Sequence, residues 1–250
     1  MFRRLFLVLS LVATSMAAPS RLTILCYHHV DYPRANPYNI SSQQLKTHLS
    51  ALRSAGFTFV TMGSVRRFYQ QGASLPSGSV LVTFDDGNHD AYTLAWPILK
   101  AMRIPMTVFI YPTAICVGHK RGFMDWSDVL VLSRAGVEVG AHGFDHPYLP
   151  YPPKSIATEA QIDVWLKRET QGAKTYIEQR ISHDVTTMAF PFGLISPRSS
   201  AAIKKAGYQL AFNISGKNNN RSTDSLHLNR IMIVNTDTAS DVLRKARNDK

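Results

Sequence analysis

The sequence predicts an α/β fold, a (β/α)7-type barrel built as a single domain. Short apolar runs alternate with amphipathic helical stretches about seven times along the chain, the signature of a mainly parallel sheet. Titratable residues stand directly at the ends of those runs, where a parallel α/β fold gathers its chemistry. No Gly/Ser linker, repeat or low-complexity tract divides the 250 residues. An open doubly wound sheet is the alternative, but no Gly-x-Gly-x-x-Gly stands where a nucleotide fold needs it.

Residues 1–17 read as a secretory leader: Arg3 and Arg4, an apolar stretch from Leu5 to Ala13, then Ser15-Met16-Ala17 as a small-residue cleavage site. The stretch is too short to span a bilayer, so the expectation is an exported protein with no transmembrane segment once the leader is removed. Its domain then runs over 18–250. Processing removes two arginines and no acid, taking the net charge from +11 to +9. The basic residues are scattered, which favours weak attraction to an anionic cell envelope, or plain solubility, over nucleic-acid recognition. Cys26 and Cys116 leave two possibilities open, one disulfide or two small buried thiols. Asn-X-Ser sequons begin at Asn39, Asn213 and Asn220.

A first strand is predicted over Leu22 to Tyr27. Ser41 and Gln44 form a capping box for a helix whose Leu45, Leu49 and Leu52 share one face, with Gly56 as its stop. A strand from Phe57 to Thr61 and a helix over 62–71 precede the apolar run Val80 to Val82. Next come a helix from Ala91 to Met102, a strand from Met106 to Tyr111, a helix from Trp126 to Ala135 and a strand from Val137 to Ala141. The longest helix is expected from Ile156 to about Arg180. Thr186 to Phe190, Tyr208 to Asn213 and Arg230 to Val234 complete the strands, with helices from Pro197 to Ala206 and from Thr238.

Thr83-Phe-Asp-Asp-Gly87 ends the Val80 strand with two adjacent carboxylates. Asp-Asp-Gly alone also makes an ordinary turn, Asp bonding locally and Gly supplying positive φ. His142-Gly-Phe-Asp-His146 begins where the Val137 strand ends, the equivalent position on another strand. If that segment makes one helical turn, its two histidines face the same way and can share a metal. A carboxylate and two imidazoles suit catalytic Zn²⁺ and other divalent ions, including oxygenase Fe(II); the spare neighbouring aspartate favours hydrolysis.

Together these segments resemble the polysaccharide deacetylases of carbohydrate esterase family 4, the domain also known from nodulation chitooligosaccharide deacetylases. Thr83 to Gly87 is like the first family motif, His142 to His146 like the second and Phe190-Pro-Phe-Gly193 like the third; Asp125-Trp126 ahead of Gly136 to His142 is similar to the Trp-containing segment. Leu25 to Val30, Gly207 to Phe212 and Asn229-Arg230-Ile231 resemble the exported poly-β-1,6-N-acetyl-D-glucosamine deacetylases of biofilm formation, in which the late histidine of other members comes from the first strand.

The resemblance implies a distorted barrel and these roles: Asp86, His142 and His146 as metal ligands, Asp85 as general base and His28 as general acid. It implies Zn²⁺, with Co²⁺, Ni²⁺ or Fe²⁺ as other occupants, and oxyanion stabilisation by the metal and a backbone N–H near Phe192. Trp126, Tyr148, Tyr151 and Phe192 offer flat faces to sugar rings. The chain departs from the family at Gly143, where most members carry Ser or Thr. It also departs at Met188-Ala189, where the arginine that orients the base is missing and Arg230 is the candidate substitute. Phe192 stands in place of a frequent tyrosine, and Asn229 in place of a common proline. Acetate release from an N-acetylglucosamine polymer is the expected reaction. The alternatives are a peptidoglycan, chitooligosaccharide or small cyclic-amide substrate, or a glycan-binding module without turnover.

Overall fold

The computed structural model describes residues 21–247; the leader read from residues 1–17 lies outside the described residues. In chain order the first elements are β1 (Leu22–Tyr27), β2 (His29–Val30), β3 (Asn39–Ile40), α1 (Ser42–Ser54), β4 (Thr58–Phe59), α2 (Met62–Gln71) and β5 (Ser79–Phe84). A π-helical turn, Ala91–Ala95, leads into α3 (Trp96–Ala101), followed by β6 (Thr107–Ile110), α4 (Pro112–Val117), α5 (Trp126–Arg134) and β7 (Glu138–Ala141). The chain ends with α6 (Glu159–Lys167), α7 (Ala173–Ile181), β8 (Thr187–Ala189), α8 (Pro197–Lys205), β9 (Leu210–Phe212), β10 (Ile231–Met232) and α9 (Ala239–Arg247).

Among the described residues the main sheet runs β10-β1-β5-β6-β7-β8-β9, with β4 beside β5, and every pairing is parallel. Each strand therefore delivers its C-terminal end to one rim, and β1 and β5 are buried along their whole length, as strands covered on both faces must be. Alternation divides their side chains. Ile24, Leu81, Phe109, Leu210, Phe212 and Leu228 pack inside the curl, plugged by Val65 and Phe68 of α2. Leu25, Tyr27, Val82 and Phe84 face outward beneath the helices, together with Leu45, Leu49 and Leu52 of α1.

The two edges of the sheet meet through the segment leading to β10. Leu228 donates to Ala211 O and accepts from Asn213 N–H, while Ile231 pairs with Leu25 of β1. Arg230 sits at this hand-over between the last strand and the first.

The structure differs from the expected elements in several places. The strand predicted over Phe57 to Thr61 is only Thr58–Phe59, because β4 pairs beside β5 for two residues before Thr61 caps α2. The long helix starts at Glu159, where Thr158 forms a capping box with Gln161, and it carries a π-helical segment, Arg168–Gly172, between α6 and α7. α4 and the small β2–β3 pair were not predicted; α4 is short, and Pro112 at its first turn reads from sequence as a break. Both cysteines are free, and Cys116 is exposed rather than buried.

Candidate active site

Asp85 and Asp86 follow β5 directly, and the chain must turn sharply there. Asp86 takes a left-handed backbone (φ 71), and Gly87 follows at φ 73 with Ile115 Cδ1 only 2.8 Å from where a Cβ would sit. No side chain fits at residue 87 without displacing the core under the site. Asp85 is 1% exposed, and its partner is the fully buried Arg230. Arg230 Nη1 donates to Asp85 Oδ1 at 2.6 Å and Nη2 to Oδ2 at 2.7 Å, while Nε donates to Asn213 O at 3.2 Å. Burial alone would raise the Asp85 carboxyl. The Arg230 charge, with His142 and His28, outweighs it and holds the group at about 2. Asp85 is thus a buried carboxylate that stays ionised.

The expected helical turn at the histidines is absent. Residues 142–146 form a bend, with Gly143 at φ 78 and His146 at φ 58, and these left-handed positions fold the two rings together. His142 Nε2 and His146 Nε2 are 3.2 Å apart, and Asp86 Oδ1 lies 3.5 and 3.4 Å from them. Zn²⁺ bonds of about 2.0–2.2 Å at tetrahedral angles set their ligands about 3.3 Å apart, so the three spacings fit one divalent ion. The tautomer fits as well. His142 Nδ1 donates to Ala189 O at 2.8 Å, which leaves Nε2 the bare nitrogen of the neutral ring. Burial opposes charge on His142, yet Asp85 and Asp86 raise its affinity for a proton; the pocket is one that draws in a cation. His146 is lowered to about 4, by burial and then by His142, and so stays neutral as a ligand must.

His28 follows β1, beside β5 in the sheet. One of its ring nitrogens, Cys26 Sγ and an Asp85 oxygen lie within 4.8 Å of one another. His28 Nδ1 is buried without a hydrogen-bond partner. Burial lowers its pKa despite the neighbouring Asp86 and Asp85 carboxylates. His29 points elsewhere and bonds Asp90 at 2.8 Å, as alternation along an extended chain requires.

Phe192 also has a left-handed backbone (φ 59), in the short 3₁₀ turn Pro191–Gly193. Its ring stands 4.6 Å from His146 and stacks on Tyr148 at 3.9 Å and 4°. Of the six described non-glycine residues at positive φ, three are Asp86, His146 and Phe192. Backbone strain of this kind collects at sites that chemistry constrains. Trp126 is placed differently: it packs beside Tyr176 of α7, with Arg180 stacked 4.9 Å over its ring.

One residue the sequence did not single out holds the histidine loop. Glu169, fully buried in the π-helical segment, accepts from Phe144 N–H at 2.7 Å and Asp145 N–H at 3.0 Å through Oε2, and from Arg168 Nη1 at 2.8 Å through Oε1. Asp145 is bound in turn by Arg168 and by Thr113 Oγ1. With glycine and no hydroxyl at position 143, this chain presents a carboxylate to the loop from outside it.

A curled parallel sheet with a carboxylate and two imidazoles converging at its C-terminal rim defines a class of metal-binding α/β enzyme architecture. The polysaccharide deacetylase family model matches residues 72–211, more than half of the chain, and the chain belongs to that family, hydrolases of amide bonds. The poly-β-1,6-N-acetyl-D-glucosamine N-deacetylase of Staphylococcus aureus strain MRSA252 is 25% identical over 199 residues, covering 78% of this chain and 68% of that protein. Streptococcus pyogenes deacetylase PplD, solved in complex with acetate, superposes with TM-score 0.79 at 20% identity, covering 92% of this chain and 99% of that one. IcaB from Ammonifex degensii superposes with TM-score 0.77 at 24% identity, covering 91% and 97%. These superpositions establish the fold. The chain spans 64% and 68% of the lengths of two curated relatives it matches.

Proposed function

We propose that this protein is an exported, metal-dependent deacetylase that hydrolyses N-acetyl groups of a β-1,6-linked N-acetylglucosamine polymer and releases acetate. The observation that carries the reading is the pairing of an ionised, Arg230-clamped Asp85 with the adjoining Asp86, His142 and His146 set. The similarity to the S. aureus enzyme supports the choice of glycan. The leader over residues 1–17 supports export.

Asp86, His142 and His146 would hold the ion, which when bound supplies Lewis acidity toward water and the amide carbonyl. Zn²⁺ suits this donor set, and Co²⁺, Ni²⁺ and Fe²⁺ share its ligand preferences. Asp85 takes the proton of the attacking water, and Arg230 keeps both its oxygens aimed and ionised. His28, in its protonated form, donates its proton to the departing amine, and the proton that Asp85 takes from the water keeps the balance. The Phe192 backbone N–H steadies the developing oxyanion.

The test is acetate release from poly-β-1,6-N-acetylglucosamine, chitooligosaccharides and peptidoglycan, with and without chelator and re-added Zn²⁺, Co²⁺ or Ni²⁺. Metal-dependent release from the β-1,6 polymer is expected. Release from another glycan alone would move the substrate and keep the chemistry. Asp85→Asn should retain its metal and lose turnover by roughly a hundredfold or more; a near-normal rate would remove Asp85 from the role of base.

A further inference from the structure

We propose that His89, His119, Asp125 and Asp128 form a second divalent-metal site, of the kind that takes Zn²⁺, which ties the turn behind Asp85 and Asp86 to the start of α5. None of these residues belongs to the Asp86, His142 and His146 set, and the inference does not depend on the reaction proposed above.

The backbone brings the two histidines together. His89 N–H donates to Gly122 O at 2.9 Å, Met124 N–H donates to Gly87 O at 2.8 Å, and Asn88 and Phe123 form an antiparallel bridge between them. The His89 and His119 rings consequently lie 4.2 Å apart. Asp128 Oδ2 is 2.6 Å from His119 Nε2 and 3.7 Å from His89 Nε2, and Asp125 Oδ2 is 3.7 Å from His119 Nε2. Ligand atoms of His89, His119 and Asp128 all lie within 4.8 Å of one another.

The carboxylates are already aimed. Asp125 Oδ1 accepts from Ser127 N–H, Ser127 Oγ and Asp128 N–H, which leaves Oδ2 as the oxygen turned toward His119. Asp128, 7% exposed, is held by the Asp125 N–H at 3.1 Å. Outer hydrogen bonds of this type fix metal ligands before the metal arrives. Capping the helix explains why Asp125 and Asp128 stand here, but a helix cap has no use for two convergent imidazoles. Tetrahedral ligation at Zn²⁺ bond lengths needs donor separations of about 3.3 Å. The 3.7 Å gaps close slightly to reach it, and the 2.6 Å gap opens as the ion replaces the proton shared by His119 and Asp128. The half-exposed His119 side chain has the freedom to make that shift, and it leaves the ion a path in from solvent.

The experiment is Zn²⁺ titration of the chelator-stripped full chain, read as bound equivalents by elemental analysis and as melting temperature. Four proteins are compared: wild type, Asp86→Ala, His89→Ala/His119→Ala, and the combination. The site predicts about two equivalents for wild type, about one for each of the next two and none for the combination, with Zn²⁺ still raising the melting temperature of Asp86→Ala. His119→Ala alone, at an exposed position, guards against misfolding of the double variant and should show the same loss of one equivalent. A His89→Ala/His119→Ala protein that binds as much Zn²⁺ as wild type overturns the proposal. An Asp86→Ala protein that binds none overturns it too, while leaving the Asp86, His142 and His146 site standing. A wild type that binds only one equivalent, which survives Asp86→Ala and disappears with the histidines, supports the second site and removes the first.

Discussion

Arg230 is a fully buried cation whose counter-charge is Asp85, and each makes the other tolerable inside the fold. Removing one member of such a pair strands the other, at about 3–5 kcal/mol. Arg230→Met should therefore lower the urea midpoint sharply. The pH dependence should also change sign. In the wild type, Asp85 sits at about 2 against an ordinary 3.8, so its contribution is present above about pH 4 and is lost as pH falls toward 2. Without Arg230, burial raises the carboxyl above its unfolded value, and the variant should gain stability on acidification while the acidic limb of turnover moves to higher pH. Unfolding and rate profiles across pH 3–8 would show it; an unmoved acidic limb would mean that Arg230 does not govern Asp85. Gly143 gives a second residue-scale prediction. At φ 78, with Pro147 Cδ at 3.3 Å and Glu169 Oε2 at 3.4 Å from a built Cβ, Gly143→Ser should destabilise by about 1–2 kcal/mol and not improve turnover.

At the scale of elements, the histidine loop is held by a helix that departs from regular geometry where it touches the loop. The Arg168–Gly172 segment aims Glu169 at two backbone N–H groups and Arg168 at Asp145. Glu169→Ala leaves those donors without their acceptor, a loss of about 1–3 kcal/mol, and should weaken Zn²⁺ retention roughly 10- to 100-fold. Glu169→Gln keeps an acceptor oxygen and should retain most of the affinity; equal losses in both variants would show that charge, rather than hydrogen bonding, steadies the loop. This contrast also marks what the sequence could reveal. Asp85, Asp86, His142 and His146 were legible because their two segments follow directly on hydrophobic strands, and strand ends share a rim in any parallel sheet. The bend at 142–146 was not, since His-x-x-x-His spacing fits a helical turn equally well and left-handed φ at His146 leaves no mark in composition. His28 and Arg230 lie outside the matched family span, 72–211; His28 meets Asp85 because β1 pairs with β5, and Arg230 because β10 pairs with β1 across the closing edge. Glu169 was invisible because the groups through which it holds the loop are backbone N–H groups.

For the whole molecule, the parallel curl puts every catalytic candidate on one rim, and the side chains bordering that rim are aromatic and exposed. Tyr148 and Phe192 are 49% and 44% exposed and stack face to face beside His146, while Tyr38, 40% exposed, stacks on His28 at 5.2 Å. Flat faces therefore border the cluster on its His146 side and on its His28 side. A compact amide would engage the cluster with little reach to Tyr148 and Tyr38, whereas a glycan laid across the rim would set the apolar faces of successive rings against them. Aromatic contacts of this kind are worth about 0.5–1.5 kcal/mol each, or roughly two- to tenfold in binding. Tyr148→Ala should accordingly raise KM for long β-1,6 oligomers by that factor, with kcat little changed, and leave a short acetylated amine nearly unaffected. Steady-state kinetics over a ladder of chain lengths separates the alternatives. A KM penalty that grows with length and then levels off marks a binding face for polymer. A loss of kcat that is equal at every length would instead assign Tyr148 to the support of Phe192 and His146, and the rim would have no part in choosing the substrate.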